Sequence, residues 1–313
     1  MKYRNSYKKH GSWYKKSFVS MGYKNRCNVR QIIRYYGGKA LLTPKIIKVI
    51  KWLVEEFGCN VYGELCAGGA RTLLNIPYGL FDKKIYNEFS IGLCNLFSCV
   101  KDPESCRKLI DVLQNLPYDK DWFEYAKINR DKPELDILDG AALTYINVMQ
   151  SRNADMHNFK LGDNETLNRK FIRQYYNQIK RINLCTEVLA DTTIINGNML
   201  NIIKQLNDYK NVLSYIDPSY HPLTRADGAL NIYPYDMTQE EHIEMVKILH
   251  ETKMAVILSG YDPAQYGCND YEPLNPANGW VKKSLGFVHR PSSNKSGYSS
   301  KKEEFIWIKY PTS

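Results

Sequence analysis

Asp217-Pro218-Ser219-Tyr220 follows the apolar run Val212-Leu213-Ser214-Tyr215-Ile216, which reads as a buried strand. An acid, a proline and an aromatic at the C-terminal end of such a strand suit one task, the gripping of a planar group that carries an amine. The Asp217 carboxylate and the Pro218 carbonyl can accept the amine's two protons, and the Tyr220 ring can stack on the plane. Taken alone, the four residues also fit an ordinary strand-end turn, so the rest of the chain must supply a cofactor, a substrate and an order of parts.

A second constellation lies upstream. Gly63-Glu64-Leu65-Cys66-Ala67-Gly68-Gly69-Ala70 sits between a short strand, Asn60 to Leu65, and a helix expected to start near Arg71. Glycines there let the backbone approach a ligand closely, and a helix N-terminus favours an anionic group. Neither the G-x-G-x-x-G spacing nor a P-loop is present. Glu88 ends the next strand, Lys84 to Glu88, where an acid can accept hydrogen bonds from both hydroxyls of a ribose. A ribose joined to a zwitterionic amino acid end fits this pair, and S-adenosylmethionine has both.

The elements that must position these residues follow from pattern. Thr43 as N-cap, Pro44 at the first helical position and apolar residues at helical spacing predict a helix to about Val54. Ile91 to Val100 is apolar at helical spacing, so residues 58–100 form a β-loop-α-β-α unit of the doubly wound kind. From about Leu116 to Leu184 polar and charged residues dominate, around a buried helix at Gly140–Met149 and a basic amphipathic one at Arg169–Asn183. The α/β pattern then resumes with a strand and turn at Thr193–Asn198 and a helix at Met199–Leu206. Thr238-Gln239-Glu240-Glu241 fits a capping box opening a helix to about His250, and Ala255–Ser259 is another buried strand. Phe305–Ile308 reads as a last strand, antiparallel if it closes a hairpin. The expected fold is α/β with a doubly wound, mostly parallel sheet. Its core spans residues 29–115 and 185–313, and residues 116–184 are an inserted, mainly helical domain or else a set of ordinary surface helices on one larger domain.

The chain has 313 residues, a formal charge of +10 and a pI near 9.0, a balance that favours a polyanionic partner. Residues 1–28 carry Lys2, Arg4, Lys8, Lys9, Lys15, Lys16, Lys24 and Arg26 without an acid, interleaved with aromatics such as Tyr3, Trp13 and Tyr23. Such an arm can neutralise phosphates and stack on bases, or be a solvated tail. The eight cysteines form no C-x-x-C pair, which argues against zinc and against a disulfide framework. No apolar run approaches the ~20 residues of a membrane span, and nothing resembles a signal peptide. The reading is a cytoplasmic protein without a metal, with a monomer slightly favoured.

Read together, the parts resemble the DNA adenine methyltransferases of the Dam type, the alpha group of amino-methyltransferases common in bacteria and their phages. Arg34-Tyr35-Tyr36-Gly37-Gly38-Lys39 looks like that family's opening motif. Glu64–Ala70 stands where the family has E-P-F-x-G-x-G, Asn87-Glu88-Phe89 where it has an acid ending strand two, and Asn196-Gly197-Asn198 where it has Gly-Asp. Asp217-Pro218-Ser219-Tyr220 matches DPPY. The resemblance covers about residues 32–100 and 190–262, with residues 116–184 where the family carries its target-recognition domain. It implies site-specific methylation of adenine N6 in double-stranded DNA, with the base flipped out and the methyl group passed directly from S-adenosylmethionine. Asp217, Pro218, Ser219 and Tyr220 are then catalytic. Tyr36, Gly37, Gly38, Lys39, Glu64, Cys66, Ala67, Gly68, Gly69, Ala70, Glu88, Phe89, Asn198 and Met199 hold the cofactor, with Lys39 on its carboxylate or a phosphate and Asn198 accepting from its adenine amine. Asn147, Gln150, Arg152 and Asn153 are candidates for reading bases, or equally for hydrogen-bonding a loop to itself, and Arg169, Lys170 and Arg173 for holding phosphates. Four positions depart from the family: Leu65 and Ser219 replace prolines, Ala70 a glycine and Asn198 an acid. The same chemistry would serve a cytosine amine or RNA, and the departures also fit a DNA-binding relative with weakened catalysis.

Overall fold

The structure, a computed structural model, describes residues 30–225, 235–289 and 301–312; the basic arm expected over residues 1–28 lies outside the described residues. Seven strands form one sheet: β1 Val61–Glu64, β2 Lys83–Glu88, β3 Thr192–Asn196, β4 Val212–Ile216, β5 Ala255–Gly260, β6 Trp280–His289 and β7 Lys301–Lys309. Their order is β3-β2-β1-β4-β5-β7-β6. The first five are parallel; β7 runs antiparallel to both β5 and β6. β4 and β5 are buried at every position because both of their faces are covered, which is why they read as continuous apolar runs.

The cover on each face is visible in the alternation of side chains. Leu213, Tyr215, Ala255 and Ile257 face one apolar cluster, while Val212, Ile216, Val256 and Leu258 face the other. The helices that supply the first cluster include α1 (Thr43–Phe57), α2 (Ile91–Lys101) and α3 (Pro103–Asn115). Residues 116–184 add α4 (Lys120–Asn129), α5 (Ile137–Met149) and α6 (Glu165–Ile179), followed by the short α7 (Thr186–Leu189). Tyr145 and Ile146 of α5 and Tyr175 and Ile179 of α6 lie in the same cluster as Ile46 of α1 and Tyr86 of β2. These helices therefore share the core of the sheet. The second cluster is built on α8 (Met199–Leu206) and α9 (Gln239–Glu251), with Trp280 and Trp307. Each fully buried aliphatic or Phe side chain in these clusters contributes about 1.5–3 kcal/mol relative to exposure. The result is a doubly wound, mostly parallel α/β fold. Among the described residues no helix is long and apolar enough to cross a membrane.

Several expectations change in detail. No α-helix starts at Arg71; a single 3-10 turn, Leu73–Asn75, stands there, because Pro77 and Gly79 follow too soon for a helix to propagate. The helix expected over Arg169–Asn183 runs over Glu165–Ile179, since the Asn164 side chain caps it by accepting from Leu167 N–H. Thr43 is not the cap of α1; its hydroxyl donates to the Lys39 carbonyl at 2.8 Å and ties the helix to the Gly37-Gly38-Lys39 turn. The capping box at Thr238 and Glu241 is present as read.

Candidate active site

The strand order reverses between β1 and β4, so the C-terminal ends of β2, β1 and β4 open into one crevice. It is a cleft of about 1140 Å³, open mouth included, lined among others by Lys39, Glu64, Glu88, Asn198, Asp217 and Tyr220. Glu64 ends β1 and is buried, its Oε2 accepting from the Tyr62 hydroxyl at 3.0 Å and the Leu73 N–H at 2.6 Å. Burial pushes its carboxyl up to about 8, more than these hydrogen bonds lower it. Glu88 ends β2 and accepts from Gly68 N–H at 2.7 Å and Phe89 N–H at 2.9 Å; burial raises it against those same bonds. Asn87 donates to the Leu65 and Gly197 carbonyls at 2.9 and 3.2 Å, which fixes the ends of β1 and β2 and the turn after β3 to one another.

The loop from Cys66 to Ala70 is bent by two left-handed residues, Gly68 at φ +48° and Ala70 at φ +46°. A Cβ on Gly68 would lie 2.6 Å from the Tyr35 ring, so glycine is required there on two counts. Ala70 stands where the family carries glycine and bears a strain of about 1–2 kcal/mol that glycine would not. Cys66 Sγ lies 3.1 Å from Met199 Sδ, and burial holds its thiol well above the ordinary range. Asn198 lines the cleft, and its Oδ1 accepts from Leu200 N–H at 2.8 Å as the cap of α8, which fixes the amide and leaves one lone pair of that oxygen for a further donor.

The turn after β4 holds the densest charge. Lys39 Nζ donates to Asp217 Oδ1 and Oδ2 at 2.7 and 2.8 Å and to the Tyr220 hydroxyl at 2.7 Å. Ser259 Oγ of β5 donates to Asp217 Oδ1 at 2.9 Å. The Tyr220 hydroxyl donates to both oxygens of Glu304, each at 3.1 Å, and Glu304 Oε1 lies 3.7 Å from Lys39 Nζ. Burial alone would pull Lys39 toward neutrality, but Asp217 and Glu304 hold it well above the ordinary lysine range. The Tyr220 ring lies 4.4 Å from the Tyr261 ring, centroid to centroid. Ser219, where the family has proline, accepts from Met237 N–H at 2.7 Å, a bond that proline could not make. Arg225 donates to the Tyr220 carbonyl at 2.5 Å and pairs with Asp236 at 3.0 Å. The loss of a fixed φ at Ser219 is thus offset by ties to the segment that leads into α9.

The structure brings the Gly37–Lys39 turn, the Glu64–Ala70 loop, Glu88 with Phe89, Asn198 with Met199, and Asp217–Tyr220 to one cleft, together with Tyr36. It does not bring the base-reading candidates to a surface as a set. Asn147 and Gln150 are fully buried. Asn147 donates to the Met156 carbonyl, and Gln150 donates to the Pro117 carbonyl and accepts from Asp119 N–H. They hydrogen-bond the chain to itself and have no access to a groove. Arg152, Asn153, Arg169, Lys170 and Arg173 are exposed, and Arg169 pairs with Glu165 at 2.5 Å. Behind the turn, the ligand atoms of His221, Cys268 and Asp270 converge within 4.8 Å, and His221 Nε2 is already hydrogen-bonded to Asp270 at 2.9 Å. Glu304 and Ser259 are site residues the sequence reading missed. Glu304 lies in the run Lys301-Lys302-Glu303-Glu304, which reads as a solvated charge cluster; only its position one residue before an apolar strand hinted at burial.

Among solved structures, the chain is similar to a putative RNA methyltransferase from Pyrococcus horikoshii at 10% identity and TM-score 0.40, over 93% of each chain. It is similar to precorrin 8W decarboxylase from Methanobacterium thermoautotrophicum at 10% identity and TM-score 0.33, over 85% of this chain and 89% of that one. The precorrin-6y C5,15-methyltransferase of Geobacter metallireducens gives 10% identity and TM-score 0.32, over 88% and 96%. At these scores the likenesses say nothing about substrate. No curated protein matches the chain significantly. The family model for D12 class N6 adenine-specific DNA methyltransferases matches residues 35–273, well over half of the chain and the whole span from the glycine turn to beyond the Asp217 motif. The chain therefore belongs to the D12 class N6 adenine-specific DNA methyltransferase family and is an S-adenosylmethionine-dependent methyltransferase.

Proposed function

We propose that the protein methylates the exocyclic amine of adenine at a specific site in double-stranded DNA, with the target base turned out of the helix. The observation that carries this reading is the occupancy of Asp217. Both its oxygens already bind a nitrogen donor, the Lys39 ammonium, in a partly buried turn where the Pro218 carbonyl and the Tyr220 ring stand alongside. A site that grips one nitrogen this way is fitted to grip another.

The cleft also fits the methyl donor. Glu64, buried, and Glu88, half-buried, end β1 and β2, and both line the cleft with the Glu64–Ala70 loop. When bound, S-adenosylmethionine supplies an electrophilic methyl group and a positive charge. Glu88 would hold its ribose, Glu64 would meet its cationic groups, and Phe89 and Met199 would flank its adenine. Asp217 and the Pro218 carbonyl would accept the target amine's two hydrogens, drawing the nitrogen lone pair out of conjugation. Tyr220 would stack on the flipped base and repay part of its unstacking, which costs roughly a few kcal/mol. Within this reading residues 116–184 form the target-recognition part on a core of 29–115 and 185–313, and Arg152, Asn153, Arg169, Lys170 and Arg173 face the DNA. Such an enzyme would work in the cytoplasm, where its DNA lies. Sequencing-based mapping of modified bases in cells expressing it tests the reading. Methylated adenines at a recurring sequence are expected, and methylation confined to cytosine would refute it.

A further inference from the structure

The Lys39 ammonium occupies the carboxylate that a target amine would need. It binds both oxygens of Asp217, and Ser259 also donates to one of them. A target amine cannot take the same oxygens until Lys39 gives them up. Lys39 is only 8% exposed, so it cannot retreat into water. A buried ammonium left without a carboxylate is strongly destabilised, so release from Asp217 requires a second anion within reach.

Glu304 is that anion. It is 1% exposed, and its Oε1 is 3.7 Å from Lys39 Nζ, so a shift of about 1 Å would bring it to normal charge-assisted hydrogen-bond length. It arrives from β7, the antiparallel strand between β5 and β6. There the register slips between Ser284 and Gly286, opposite Phe305 and Glu304. Such a bulge re-aims the neighbouring chain and is common beside active sites. The Tyr220 hydroxyl spans the two partners, accepting from Lys39 and donating to Glu304, so the ring that would stack on the base is oriented by the same pair. Glu304 also lies past residue 273, where the family match ends.

We propose that Glu304 is a positioning residue that takes the Lys39 ammonium from Asp217 as the target amine arrives, so that one lysine moves between two carboxylates. The proposal rests on the adenine-amine reading. The test compares wild type, Glu304→Gln, Glu304→Asp, Lys39→Met and the Lys39→Met/Glu304→Gln double variant as full chains. Methyl transfer to unmodified genomic DNA and S-adenosylmethionine affinity by calorimetry are measured for each. Glu304→Gln should lower kcat/KM for DNA roughly 10- to 150-fold, the fold-change of one lost charged hydrogen bond, with cofactor affinity unchanged. Glu304→Asp should keep more activity than Glu304→Gln. The double variant should transfer severalfold faster than Glu304→Gln alone, because removing the stranded ammonium frees Asp217. A double variant no better than Glu304→Gln, or a Glu304→Gln protein with wild-type kcat/KM, would overturn the proposal. A wild type that binds cofactor yet methylates no DNA would overturn the adenine-amine reading and this inference with it.

Discussion

Glu64 makes cofactor binding a proton-linked event. Burial raises its carboxyl to about 8, so at pH 7 roughly nine molecules in ten of the free protein carry it neutral. A cation brought beside it favours the carboxylate, and binding must then expel the proton. With a pKa near 8 the cost of deprotonation is about 2.7 kcal/mol at pH 6 and about 1.4 kcal/mol at pH 7. S-adenosylmethionine should therefore bind about ninefold tighter at pH 7 than at pH 6, a window below the ~7.7–8.0 range in which an α-amino group titrates. Calorimetry in two buffers of different ionisation enthalpy would show close to one proton released per cofactor bound. Glu64→Gln should abolish both the slope and the release. The stability sign runs the other way. A folded pKa above the unfolded value stabilises the free protein at low pH, and that contribution is lost as pH rises through about 8. Equal affinity at pH 6 and 7, or a Glu64→Gln protein that keeps the wild-type slope, would refute the placement of Glu64 against the cofactor's charge.

Gly68→Ala should destabilise the fold by at least about 2 kcal/mol in urea unfolding, since it adds left-handed strain to a 2.6 Å clash with Tyr35. Ser219→Ala should cost about 1–2 kcal/mol by leaving Met237 N–H without its acceptor. Ser219→Pro, which restores the family's residue, should lower stability as well, and a stabilised Ser219→Pro protein would show that the Met237 bond is incidental.

The parallel half of the sheet was legible because buried strands β4 and β5 leave apolar runs, and because β1 and β2 each end in an acid, that of β1 beside a glycine loop. The Asp217 turn and the Glu64–Ala70 loop are local in sequence, and their order along the chain placed them in one cleft. What escaped depends on distance. Glu304 is 84 residues from Tyr220, and its burial follows from a sheet-edge bulge that no local pattern announces. β6 was not anticipated because its alternation is broken by Lys282, Lys283 and Gly286. Asn147 and Gln150 fit base reading and internal hydrogen bonding equally well by residue type; α5 is buried on nearly every face, as its apolar pattern suggested, and their polarity serves internal bonds. Ser219 read as a weakened proline because its partner, Met237, stands 18 residues further along the chain. Lys39 was expected on the cofactor or a phosphate; its contact with Asp217 spans 178 residues and is a product of the fold alone.

The most direct measurement is the identity of the methylated nucleoside. Unmodified double-stranded DNA is incubated with the wild-type protein and methyl-labelled S-adenosylmethionine, digested to nucleosides and resolved by mass spectrometry, beside an Asp217→Asn protein shown to bind the cofactor. The account predicts label in N6-methyladenine with wild type and at least ~100-fold less with Asp217→Asn, the scale of losing one charged contact to the reacting group. Label only in a methylated cytosine, or undiminished N6-methyladenine from Asp217→Asn, would contradict it.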